Sequence, residues 1–263
     1  MHIAVALKQV HDPNTPPVLL RIGEDGRTLE LPAGMSPTLN GYDANAVEVA
    51  LKLKEVCGGT ITVLSVGDDS TKNILRRALG MGADRAVHIS GPSGLNGDSH
   101  SIAMLLGAAV KKLPSVDLVL CGRQASDSDA GQVLFLLAEQ LNLPAVSPVK
   151  FIQRVERNFA IVDRMADNGI QRVRVTLPAL LGVSSEINKP RTASLKGVML
   201  AKRAEIPTWT QGDLGIEELV PALILRRLYI ESATDSSAEM VPGISAREIG
   251  RALADRLHQE GLI

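Results

Sequence analysis

The chain has 263 residues and a net charge of -1, from 28 Lys and Arg against 29 Asp and Glu, so no global field draws it to nucleic acid or to anionic lipid. Aromatic residues are only 2% of the chain, which removes the stacking platforms that single-stranded nucleic acid needs. Hydrophobic residues at 45% supply a core of Val, Leu, Ile and Ala.

The opening MHIAVALKQV is strand-like and too short for a signal peptide, and no apolar run approaches the roughly 18 residues of a membrane span. A short apolar strand is expected over residues 3–7, then a hairpin over 18–31 that turns at Glu24-Asp25-Gly26. Asn40-Gly41-Tyr42-Asp43 reads as the cap of a helix over 44–56. In that helix Ala46, Val47, Val49, Ala50, Leu53 and Val56 fall at helical spacing and Lys52, Lys54 and Glu55 face water. Gly58-Gly59 ends it. A buried strand over 60–66, a helix over 69–79 and a strand over 85–89 follow. After them come a Gly/Ser-rich loop over 92–98, a helix over 99–112, a strand over 118–121 and a helix over 129–141. The two cysteines, Cys57 and Cys121, lie in apolar contexts and read as reduced core thiols of a cytoplasmic protein.

Strands of continuous apolar character separated by helices predict an α/β fold, Rossmann-like, with a mainly parallel sheet and helices on both faces. After Pro148 the pattern alternates over 149–155, 159–164 and 171–176, which predicts an antiparallel addition. Another short strand is expected over 180–183, a polar segment over 184–194 and a helix over 195–203. A Pro-punctuated C-terminal arm ends in an amphipathic helix over 245–259, with Ile249, Leu253 and Leu257 on its apolar face. The organisation expected is a nucleotide-binding α/β domain over 1–206 and an extension over 207–263.

Ligands of such sheets lie beyond the carboxyl ends of the strands. The stretch CGRQASDSDAGQV, residues 121–133, sits at one such end. Gly122, Ala125 and Gly131 keep its backbone accessible, and bare N–H groups at the next helix start can hold a phosphate. Ser126, Asp127, Ser128 and Asp129 can cap that helix, and an Asp can hold ribose hydroxyls. From residue types alone, a capped turn and a nucleotide site stand open side by side. There is no GxGxxG and no P-loop. The five histidines show no metal spacing, no triad motif is present, and Asp127 with Asp129 is a weak carboxylate pair. His88 reads as a satisfied core or edge histidine. No catalytic residue and no metal site is expected, and any chemistry belongs to a bound cofactor.

Four stretches resemble the β subunit of the electron transfer flavoproteins. VALKQV at 5–10 is similar to the family's opening strand, and NGYDANAVEVALKLKE at 40–55 to the start of its first helix. CGRQASDSDAGQV is similar to its nucleotide loop, G-x-Q-(A/S)-x-D, and EINKPRTASLKGVMLAKR at 186–203 to its (L/I)-N-x-P-R-x-x-(S/T)-L stretch. GADRAVHI at 82–89 supports them. The resemblance covers nearly the whole chain.

It implies an electron carrier without an activity of its own: a heterodimer with an α subunit, FAD shared with α, and AMP buried in β without a redox role. Carried over, the nucleotide site is Ala6, Asn40, Val66, Gly122, Arg123, Gln124, Ala125, Asp127, Asp129, Ala130, Gly131, Gln132 and Val133, with the amides of Ala130, Gly131, Gln132 and Val133 on the phosphate. Ile187, in a recognition loop over about 184–194 with Asn188, Pro190 and Arg191, would be an exposed anchor for acyl-CoA-type or other flavin dehydrogenases. A quinone oxidoreductase would receive the electrons. The extension, whose apolar faces find no obvious room on the first domain, reads from its residues as an arm that wraps the α subunit, with packing on its own domain as the alternative.

The chain departs from the pattern in two ways. Gly131 and Val133 stand where many AMP-binding members carry Asn and Thr. The G-R-Q-A form resembles the electron-bifurcating branch, in which a second FAD replaces AMP, but Leu134-Phe135 stands where that branch has Gly-Pro. On these departures AMP is expected, with a second FAD as the alternative. A nucleotide-binding enzyme or sensor on the same fold is a third reading, which ATP turnover by the chain would mark.

Overall fold

The computed structural model of the protein describes residues 1–91, 97–230 and 238–263. Most of the loop expected over 92–98 lies outside the described residues, as do residues 231–237 of the extension. In chain order the strands and helices are β1 (His2–Leu7), β2 (Gln9–Val10), β3 (Arg21–Ile22), β4 (Leu29–Glu30), β5 (Thr38–Leu39), α1 (Gly41–Cys57), β6 (Thr60–Gly67), α2 (Lys72–Met81) and β7 (Arg85–Ser90). They continue as α3 (Ser99–Lys112), β8 (Leu118–Gly122), α4 (Val133–Leu141), β9 (Ala145–Val155), β10 (Phe159–Ala166), β11 (Gly169–Thr176), β12 (Ala179–Val183), α5 (Leu195–Arg203), β13 (Thr208–Trp209) and α6 (Ala246–Gln259).

Among the described residues the main sheet runs β11-β10-β9-β12-β8-β1-β6-β7-β13. From β9 to β13 neighbouring strands are parallel; β10 and β11 add the antiparallel edge. Strand alternation divides the core into two layers. Ile3, Val5 and Leu7 of β1 pack with Val47 and Leu51 of α1 and Ile74, Leu75 and Ala78 of α2. Ala4 and Ala6 face the other way, toward Leu105 and Ala109 of α3 and Leu134 and Leu137 of α4. Each such fully buried Leu or Ile contributes about 1.5–3 kcal/mol. The chain winds outward from β1 through β6 to β7, then crosses back to place β8 on the other side of β1. The order therefore reverses between β1 and β8, and ligands of such sheets bind beyond the carboxyl ends at that point.

Several expectations change in detail. The helix expected from 129 begins at Val133, because Asp129 (φ 49°) and Gly131 (φ 60°) occupy the left-handed region, which a helix cannot contain. The N-cap position is Gln132, with no side-chain cap, so Ser126, Asp127, Ser128 and Asp129 do not cap α4. Val56, expected in the core, is 85% exposed, and Cys57 beside it is an exposed thiol, since α1 runs past the sheet by its last turn. Cys121 is buried as expected, and burial raises its thiol well above the usual range. Strand β9 starts at Ala145 and serves both sheet types: it pairs parallel with β12 and antiparallel with β10.

The described chain divides into two compact units, Met1–Leu228 and Tyr229–Ile263. Residues 207–228, expected with the extension, are held on the first unit. Thr208 and Trp209 pair with His88 and Ile89, Ala222 donates its N–H to the buried Asp98, and Leu228 donates to the Gly26 carbonyl. In the second unit Ser245 caps α6 through the Glu248 N–H, and Arg256 pairs with Glu239 at 3.2 Å. No residue of α6 is buried, and Ile249 and Leu253 are exposed. No helix among the described residues is long and apolar enough to cross a membrane.

Candidate functional site

The structure brings the expected nucleotide residues to one edge. Ala6 near the end of β1, Val66 near the end of β6 and Gly122 at the end of β8 stand on three adjacent strands. Residues 123–132 then arch from β8 to the start of α4. The loop is fastened from below by the first turn of α1. Asn40, 1% exposed, donates from Nδ2 to the Gln124 carbonyl at 2.9 Å and accepts the Ser126 N–H on Oδ1 at 3.3 Å. The Asn40 side chain thus does not cap its own helix, although the sequence suggested that role.

Asp43, also buried, accepts the Lys8 N–H at 2.7 Å and the Gly122 N–H at 3.0 Å. Burial pushes its carboxyl up to about 7, against the lowering effect of the Lys8 amide, Asn40, the Gly122 amide and the Lys8 charge. Glycine at 122 makes this approach possible. A Cβ there would stand 2.5 Å from Asp43 Oδ1 and 2.6 Å from Tyr42 Cβ.

The loop's own side chains are tied within it. Lys8 Nζ holds Asp127 at 2.7 Å, and Gln124 donates to Asp129 at 2.6 Å. Asp127 and Asp129 are thus separately engaged and form no acid–base pair. Among the described residues, the N–H groups of Ala130, Gly131, Gln132 and Val133 find no acceptor in the turn that leads into α4. Arg123 lies over the Tyr42 ring at 5.2 Å, and its buried Nε likewise has no partner. Unengaged donors at a helix start, a glycine turn and small residues on the neighbouring strand suit an anionic phosphate with a flat base beside it. Metal chemistry has no such support: among the described residues no cluster of three acidic, His or Cys side chains forms. His88 is a satisfied core histidine, 2% exposed and bonded to the Gly67 carbonyl and Thr208.

The second expected group lies further along α1. Asn45 donates to the Asn188 carbonyl at 2.7 Å, and Asn188 donates back to the Asn45 carbonyl at 3.1 Å. Arg191 grips the buried Glu48 through Nε at 2.8 Å and Nη2 at 3.1 Å, and reaches Glu55 at 2.7 Å. These bonds hold the Glu48 carboxyl below its usual range although burial opposes them, and raise the Arg191 guanidinium. Asn188 and Arg191 therefore face inward as ties.

Ile187 is half-buried and packs on the first core layer, where an exposed anchor was expected. Pro190 is half-buried. The freely exposed apolar side chains of this region are on α5: Leu195 at 80%, Met199 at 55% and Leu200 at 60%. Residue reasoning did not single them out, because the anchor at Ile187 came from the resemblance and not from the residues, which on their own favoured a buried place for it. It passed over Asp43 and Glu48 too, although a lone acid inside an apolar helical stretch is the available signal.

The mainly parallel sheet flanked by helices, with a tied glycine loop and unengaged helix-start amides at its strand ends, defines an α/β protein with a candidate anion site at that edge. The electron transfer flavoprotein domain matches residues 34–214. The chain is 33% identical over 270 residues, all of both chains, to the caffeyl-CoA reductase–Etf complex subunit CarD of Acetobacterium woodii. It is 36% identical over 219 residues, 83% of this chain and 82% of the other, to an electron transfer flavoprotein β subunit of Thermoanaerobacterium thermosaccharolyticum. It is 32% identical over 254 residues, 92% and 88%, to the protein FixA of Azorhizobium caulinodans. The chain belongs to the electron transfer flavoprotein family.

Proposed function

We propose that the chain is the β subunit of a heterodimeric, cytoplasmic electron transfer flavoprotein, and that its strand-end site holds the adenylate of AMP. The observation that carries the nucleotide reading is the row of unengaged amides from Ala130 to Val133 beside the glycine loop. In this reading those amides take the phosphate, Ala6 and Val66 border the base, and Gly122, Arg123, Gln124 and Ala125 form the wall. The redox chemistry is supplied by FAD held with the α subunit. The assembled carrier takes electrons from an acyl-CoA-type or other flavin dehydrogenase and delivers them to a quinone oxidoreductase. The exposed face of α5, led by Leu195 and steadied by the ties to α1, serves as the docking anchor in place of Ile187. A few exposed apolar groups beside polar residues suit a partner that must leave after each transfer. Residues 229–263 wrap the α subunit.

One observation favours a second reading, in which a second FAD occupies the β site of a bifurcating complex: the alignment with CarD runs through the whole extension. The test is nucleotide content. The chain is co-expressed with its α subunit, the complex is purified and denatured, and released FAD and AMP are quantified. One FAD and one AMP per heterodimer support the carrier; two FAD and no AMP sink the AMP reading in favour of bifurcation.

A further inference from the structure

We propose that Arg76 and Gly80 of α2 are positioning residues for docking: without touching the partner, they fix where the exposed face of α5 stands, and so set how well the carrier docks on a flavin dehydrogenase. The inference rests on the docking reading above and adds to it two residues of another helix.

Helix α5 (Leu195–Arg203) is thinly held. A helix of nine residues is marginal on its own. Of its residues Ala201 is buried, while Leu195, Met199 and Leu200 are exposed. Apolar burial therefore fixes it weakly, and its ends carry the task. At the start, Ser194 caps it through the Gly197 N–H at 3.0 Å, next in the chain to the ties that Asn188 and Arg191 make with α1.

At the other end, the last carbonyls of a helix lack partners within it. Arg76, half-buried on α2, supplies one. Its Nη1 donates to the Ala201 carbonyl at 2.7 Å, to the Ala204 carbonyl at 3.1 Å and to the Lys202 carbonyl at 3.2 Å. A guanidinium also suits the negative pole at a helix C-terminus. Gly80 lies four residues further on, on the same face of α2. A Cβ on Gly197 would run into the Gly80 carbonyl, and a Cβ on Gly80 would stand 3.1 Å from the Ala193 Cβ. The two backbones thus touch directly, with no side chain between them to yield. Arg76 fixes the end of α5, and Gly80 fixes its distance from α2. A contact carried by a few apolar side chains depends on where they stand.

The test uses the chain assembled with its α subunit, and an acyl-CoA dehydrogenase with its acyl-CoA as the electron source. KM for the carrier, kcat and Tm are measured for wild type, Arg76→Ala, Gly197→Ala, Leu195→Ala, and each of the first two variants combined with Leu195→Ala. Arg76→Ala removes charge-assisted bonds and is expected to raise KM by about threefold to tenfold with kcat little changed. In the Leu195→Ala background the same change should cost less than about twofold, because the face it positions has already lost its leading side chain. Gly197→Ala separates placement from helix stability. Alanine favours a helix over glycine, so stability alone predicts a KM that is unchanged or lower. Displacement by the Gly80 carbonyl predicts a KM raised as in Arg76→Ala. Gly197→Ala, alone and combined, also serves if Arg76→Ala does not fold. Wild-type KM in either variant would overturn the proposal, as would losses that add in full to that of Leu195→Ala. Wild-type KM in Leu195→Ala, or no electron uptake by the wild type, would overturn the docking reading itself, and the positioning role with it.

Discussion

Asp43 makes the stability of the fold depend on pH. Its folded carboxyl sits at about 7 against an ordinary value of 3.8, with burial as the main cause. Between those values the folded chain keeps a proton that the unfolded chain releases. Its contribution to stability is therefore fully present below about pH 3.8 and is lost as the pH rises through about 7. The loss amounts to at most about 4 kcal/mol. We expect Asp43→Asn to remove this slope, so that the variant is no less stable than wild type at about pH 8 and gains less from acidification. Urea unfolding at about pH 5 and pH 8, read as the difference between the two proteins, checks it. Equal slopes would mean that the carboxyl is not buried as described. Nothing in the sequence NGYD told of this dependence, because the partner of Asp43 on β8 lies 79 residues away.

At the scale of elements, the parallel strands and their helices were legible because apolar runs such as TITVLSV and LVLC have no other use than burial on both faces. The edge strand Thr208–Trp209 was not, since two residues carry no period. The start of α4 was misplaced because the left-handed backbone at Asp129 and Gly131 is set by the loop's ties, not by residue type. The candidate site was legible as a location and as a set of loop residues; the ties from α1 were not, as they span 35 to 143 residues. The segment after β12 makes the same point. It read as a polar segment, yet Arg191 and Asn188 turn inward and α5 carries the exposed apolar face. We therefore expect Leu195→Ala to slow electron uptake from a partner dehydrogenase by about tenfold with little change in Tm, whereas Ile187→Ala should lower Tm. Steady-state transfer rates and thermal unfolding separate the two; the reverse pattern would restore Ile187 as the anchor.

For the whole molecule, the division at Tyr229 predicts that a chain ending at Leu228 keeps its fold. Its last residues are pinned by Asp98 and by the turn at Gly26. Its Tm should stay within a few degrees of the full chain, since no residue of α6 is buried. Its affinity for the α subunit should fall. A truncated chain that fails to fold would show that residues 229–263 stabilise the first unit.

Helix α1 is the member shared by both candidate regions, with the loop after β8 on its first turn and the 188–191 segment on the turns from Asn45 to Glu55. Successive residues of a helix are offset by about 100°. A one-residue insertion or deletion between Asp43 and Asn45 would therefore swing one set of ties out of reach of its loop while leaving the other in place. Over evolutionary time this part of the chain can exchange outward side chains such as Lys52 and Val56, but it cannot change its length.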